Sequence, residues 1–149
     1  MATTAADHDS QGPIFQYKPL ERHQMRLLRL TGQANGQILG ELITTDFPPG
    51  SMFAKPKPFT CLSYMWSPPP PATASGHVLI NDHPFPISSN LKSFLECYLA
   101  EKHTATGTYI WIDQICIDQS NVLEKNAQVS RMDEIYRNAP GGSIVWLGD

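Results

Sequence analysis

From Tyr109 to Ile112 the chain is apolar at every position, not at every second one. A strand with no polar face is covered on both sides, so this run predicts the interior of a sheet with helices on each face. The pattern breaks at Asp113 and Gln114, resumes for Ile115-Cys-Ile117 and ends in Asp118 and Gln119. Asn121 and Glu124 then stand at capping-box spacing, which predicts a helix start with Glu124 reaching back to first-turn amides. Val122, Val129, Met132, Ile135, Tyr136 and Ala139 recur at helical intervals, and Asn138, Pro140 and Gly141-Gly142 stop the helix. Ser143 to Leu147 reads as another buried strand. Strand, helix, strand predicts a βαβ unit with parallel strands.

Upstream, Met25–Thr31 and Gln37–Thr45 are extended segments around Gly32 and the Asn35-Gly36 turn signal, which predicts a hairpin. Phe47-Pro-Pro-Gly50 and Lys55-Pro-Lys-Pro58 break the chain into a loop. Phe59–Trp66 reads as a strand with mixed faces, Cys61, Ser63 and Met65 against Leu62, Tyr64 and Trp66. Ser67–Gly76, with four consecutive prolines, predicts a stiff surface loop. His77–Ile80 and Phe85–Ile87 flank Asn81-Asp82 as a second hairpin, which Pro84 and Pro86 confine to a sheet edge. Ser89-Asn90 caps a helix whose stripe is Leu91, Phe94, Leu95, Tyr98 and Leu99. The expected fold class is α/β: a three-layer, parallel-core βαβαβ sheet decorated with β-hairpins.

A chain of 149 residues suffices for one domain with a core. Its net charge of −3, without a Lys/Arg cluster, argues against nucleic acid as the main partner. No apolar run has membrane-spanning length, so no membrane partner is expected. Residues 1–14 read as a polar, disordered tail without a signal peptide, and residues 15–149 as the domain. The three cysteines, Cys61, Cys97 and Cys116, form no C-x-x-C pair and have no histidine at metal spacing. Reduced thiols, no metal and a cytoplasmic location follow as expectations. His77, His83 and His103 are scattered and read as surface residues.

Carboxylates at the end of a buried strand are costly unless paired or functional, and ligands of open α/β sheets sit at that end. Asp113 is therefore the first candidate, with Glu124 beside it: three carboxylates, Asp113, Asp118 and Glu124, brought into one crevice would shift one another's pKa and supply an acid and a base. The rival account of Glu124, as a helix cap favourable to the dipole, is the stronger one. Ser63, Tyr64 and Trp66 end the neighbouring strand; a ring there stacks on a planar base, or else packs beneath a helix. With Asp118 and Gln119 they form the candidate ligand-binding set. Cys116, among apolar neighbours, reads as a buried thiol and not a nucleophile. Gln128, Met132 and Tyr136 read as packing residues.

Trp111-Ile-Asp-Gln-Ile-Cys-Ile-Asp-Gln119, Glu124, Gln128-Val129, Met132, Ile135-Tyr136, Ala139 and Val145-Trp-Leu-Gly148 resemble the fungal heterokaryon-incompatibility (HET) domain. Leu62-Ser-Tyr-Met-Trp66 resembles its other hallmark, and Tyr17-Lys-Pro-Leu20 with Arg26–Leu30 its lead-in. Ser67 stands where the family usually has Gly, and Asp118 where Asn is common. The order of strands and helices is more distantly similar to TIR domains, some of which cleave NAD while others only self-assemble. The resemblance implies an effector of non-self recognition that triggers programmed cell death, with NAD as the candidate substrate and no bound cofactor. In NAD-cleaving TIR domains the catalytic Glu follows the third strand, which here falls beyond Asp149. Catalytic roles for Glu124 and Asp113 therefore rest on analogy. The alternatives are a non-catalytic module for self-association or a partner protein, or an inactive truncated relative.

Overall fold

The computed structural model describes residues 13–47, 57–64, 76–101 and 108–146. Seven strands, β1 (Gln24–Ala34), β2 (Gln37–Asp46), β3 (Phe59–Tyr64), β4 (Gly76–Ile80), β5 (His83–Ile87), β6 (Tyr109–Ile112) and β7 (Ser143–Trp146), form one sheet in the order β5-β4-β2-β1-β6-β3-β7. The described helices are α1 (Ser89–Glu101), the single turn α2 (Asp113–Cys116), α3 (Val122–Ser130) and α4 (Met132–Arg137).

The α/β class holds, and β6, β3 and β7 run parallel as the βαβ reading requires. The sheet as a whole is mixed. The two hairpins do not decorate a parallel core; they extend it, because β1 pairs antiparallel with both β2 and β6 while β2 continues in parallel onto β4. Strand β6 has a hydrogen-bonded neighbour on each side, and both of its faces are covered, Ile110 and Ile112 in one apolar cluster and Trp111 in another, which matches its lack of a polar face. The two turns have the backbone their residues favour: Asn35 and Gly36, and Asn81 and Asp82, all have positive φ. Strand β5, with Pro84 and Pro86, ends the sheet. Its Pro84 carbonyl accepts the Phe15 amide at 3.1 Å, which ties the segment before β1 to this edge.

Alternate side chains build two apolar clusters. Leu28, Leu30, Leu62, Ile110 and Ile112 meet Leu91, Phe94 and Leu95 of α1 in one. Met25, Leu27, Cys61 and Trp111 meet Ile135 of α4 in the other, with Met132 and Tyr136 packed against it. Trp111 is fully buried and stacks edge-to-face on Tyr136 at 5.7 Å.

The single helix expected after Asn121 is two. Arg131 (φ −101°, ψ −2°) closes α3 with its amide on the Gln128 carbonyl, three residues back, and its guanidinium bonds the carbonyls of Gln24 and Phe47. The expected apolar stripe also fails on α3: Val122, Leu123 and Val129 are 68%, 83% and 50% exposed, while Gln128 is buried and donates to the Gln24 carbonyl at 3.1 Å.

Candidate functional site

At the carboxyl end of β6 the chain makes the single turn of α2, closed by the Ile117 amide on the Asp113 carbonyl. That carbonyl also accepts Gln119 Nε2 at 2.9 Å. Asp118 Oδ1 accepts the Ser120 amide and hydroxyl at 3.1 and 2.7 Å. The polar residues of the motif therefore knit their own loop. Asn121 caps α3 by accepting the Glu124 amide at 3.0 Å, as the spacing predicts.

The Glu124 carboxylate does not complete the capping box. It reaches past Asn121 to the Asp118 amide, 2.6 Å away, and pairs with Arg26 of β1 through two bonds of 2.7 and 2.8 Å. Arg26 and Glu124 side chains are only 3% and 7% exposed. The guanidinium also donates to the carbonyls of Cys116 (3.2 Å) and Lys18 (2.7 Å) and lies 4.6 Å from the centre of the Tyr17 ring. Tyr17 donates its hydroxyl to the Ile115 carbonyl at 2.7 Å. One buried ion pair thus fastens the segment before β1, β1 itself, the 113–120 loop and α3. Arg26 escapes the sequence reading; its signal is a lone charge inside the apolar run Met25–Leu28.

The three carboxylates meet different surroundings. Glu124 is engaged by Arg26. Asp113 lies near two phenols: burial first, then the Asp113 charge, holds Tyr64 well above the usual phenol range, and burial followed by Asp113 and Cys61 pushes Tyr136 up to about 12. Asp118 lies near Tyr17, whose phenol is raised by burial and then by Cys116, against the lowering effect of Arg26. Burial pushes the Cys116 thiol up to about 12, and it lies between the Ile112 amide and the Ile110 carbonyl, as a protonated packing residue does.

Tyr64 donates to Gln114 Oε1 and faces Trp146 across the β3–β7 ladder; Trp146 in turn donates to Asn90 Oδ1 at 3.0 Å. Ser63 is exposed on the opposite face of β3, paired with Val145. Trp66 and Ser67 lie outside the described residues. Of the candidate set, Asp118 and Gln119 come together. They line a cleft of about 520 Å³ with Gln114, opposite Phe15, Tyr17 and Phe85. Tyr64 reaches this group through Gln114, and Asp113 through its carbonyl bond to Gln119. A smaller cleft of about 270 Å³, near Thr60, Tyr98 and Tyr109, lies at the other end of β3 and β6. Among the described residues no group of three His, Cys, Asp or Glu side chains could hold a metal ion.

The family described as heterokaryon incompatibility protein (HET) matches residues 59–149, which takes in every strand from β3 to β7 and all four described helices. The chain is also similar to "Heterokaryon incompatibility protein 6, OR allele" of Neurospora crassa, with 34% identity over 104 residues. That match covers 62% of this chain and 15% of the relative's length. No solved structure matches the chain. With the family pattern running over more than half its length, the chain belongs to the HET family.

Proposed function

We propose that this domain acts in heterokaryon incompatibility as a cell-death effector, and that it does so by hydrolysing NAD at the carboxyl end of β6. Support for the biological role comes from family membership and from the name of the Neurospora crassa relative. The observation that carries the chemistry is the cleft that Asp118 and Gln119 line together with three aromatic residues, Phe15, Tyr17 and Phe85. It sits beside the carboxyl ends of the parallel strands, where open α/β sheets bind ligands. In this reading the bond from the ribose C1′ to the nicotinamide nitrogen breaks, nicotinamide leaves with the bonding electrons, and water adds to C1′ with loss of a proton. The carboxylate of Asp118 stabilises the positive charge that develops on the sugar. Glu124 acts as a positioning residue: its oxygens are held by Arg26 and the Asp118 amide, so it fixes the loop that carries Asp118.

Induced expression in a fungal host, with viability and cellular NAD followed together, tests this. NAD is expected to fall before viability does, and Asp118→Ala to prevent both. Death with undiminished NAD would overturn the enzymatic reading. A second reading, of an interaction module, is favoured by the exposed Val122, Leu123 and Val129 on α3. It predicts that Leu123→Asp, and not Asp118→Ala, abolishes killing.

A further inference from the structure

We infer that the cleft between the Phe15–Tyr17–Phe85 wall and the Gln114, Asp118 and Gln119 side chains binds a planar heterocycle that carries a positive charge. The inference rests on reading this sheet edge as the ligand-binding end of the domain, and it adds the shape and charge of what enters. The three ring centroids stand 5.1 to 6.1 Å apart, two of the pairs edge-to-face, yet every ring stays partly exposed. Such a wall offers a flat guest both π faces and ring edges. At about 520 Å³ the cleft lies within the size range of small-molecule sites.

The facing polar groups select charge. Asp118 spends Oδ1 on Ser120, and Oδ2 has no protein donor among the described residues. Gln119 spends its NH₂ on the Asp113 carbonyl, which leaves its side-chain carbonyl as an acceptor. Gln114 accepts the Tyr64 hydroxyl at Oε1, which leaves its NH₂ as a donor. The Arg26 guanidinium beside the Tyr17 ring is buried and already paired with Glu124. An anion would therefore meet a carboxylate with no counter-charge, and a neutral ring would leave that carboxylate unanswered. A cationic ring meets the Asp118 carboxylate and the aromatic faces together.

Three rings of nearly one shape separate these cases: 1-methylnicotinamide (cationic), nicotinamide (neutral) and nicotinate (anionic). Each is titrated into the isotope-labelled chain while the backbone amide signals are followed. The cation is expected to shift residues 14–17 and 114–120 and to saturate at a concentration about tenfold below the neutral ring. Added salt should weaken the cation alone. Asp118→Asn keeps the Oδ1 acceptor for Ser120 and should bring the cation down to the neutral level, while Phe85→Ala should weaken both. Nicotinate binding as well as the cation, an unchanged order in Asp118→Asn, or no shift in these segments would each overturn the inference. NAD turnover is read separately. Cation-selective binding without NAD cleavage would refute the enzymatic reading and uphold this one; cleavage without the selectivity would do the reverse.

Discussion

Replacing Glu124 by alanine leaves the Arg26 guanidinium buried with no carboxylate against it, a change that costs about 3–5 kcal/mol in comparable buried pairs. Chemical unfolding of Glu124→Ala should show a much lower midpoint at an unchanged slope. The double variant Arg26→Met/Glu124→Leu should recover most of the loss; a double variant no better than the single would show that the two side chains are not coupled. The sequence carried half of this pair. A charge between Met25 and Leu27 in a buried strand demands a partner, but the partner is 98 residues away and nothing local identifies it. Glu124 was legible as a residue of the first helical turn, and its cap partner Asn121 behaves accordingly. The thiols give a second residue-scale outcome. Cys61 and Cys116 are buried and pushed up to about 12, whereas Cys97 is half-buried. In the native protein Cys97 should take up an alkylating reagent well before the other two, as peptide mass spectrometry would show. The sign for stability follows from the raised folded pKa: between pH 9 and 12 the unfolded chain loses thiol protons that the folded chain keeps. Stability conferred by the two buried thiols is therefore complete below that window and falls as pH rises through it. Cys116→Ala should flatten the fall; a fall as steep as in the unsubstituted chain would contradict the assignment.

On α3 and α4 the apolar residues at helical spacing suggested one rod with one buried stripe. The observed elements split at Arg131, whose amide bonds three residues back and whose side chain bonds the carbonyls of Gln24 and Phe47, and a helical repeat contains no trace of those distant partners. The consequence is measurable. Val122→Ser and Val129→Ser should each change stability by less than about 0.5 kcal/mol, since both positions face solvent. Ile135→Ala, one turn into α4 and fully buried, should cost about 2–5 kcal/mol. A large loss at Val129 would place α3 the other way round. Strands were more legible than helices here. Tyr109–Ile112 announced its burial through the absence of alternation, and the Asn35-Gly36 and Asn81-Asp82 turns announced their hairpins.

For the molecule as a whole, local patterns established which segments are strands but not which strands are neighbours. That β1 lies beside β6, and that both hairpins extend the same sheet, depends on which hydrogen-bonding edge meets which, a long-range outcome that neither periodicity nor turn chemistry encodes. The same holds for the candidate site. Asp118 and Gln119 were legible as polar residues after a buried strand, whereas the facing wall of Phe15, Tyr17 and Phe85 comes from two distant segments that the fold alone brings together. Among the described residues no helix is long and apolar enough to cross a membrane. Whether the cleft at the carboxyl end of β6 does chemistry is tested most directly by nicotinamide release from NAD by the purified, folded chain beside Asp118→Ala. Release by the unsubstituted chain, lost in a variant with an unaltered unfolding midpoint, is the predicted result. Equal release from both, or none from either, would contradict it.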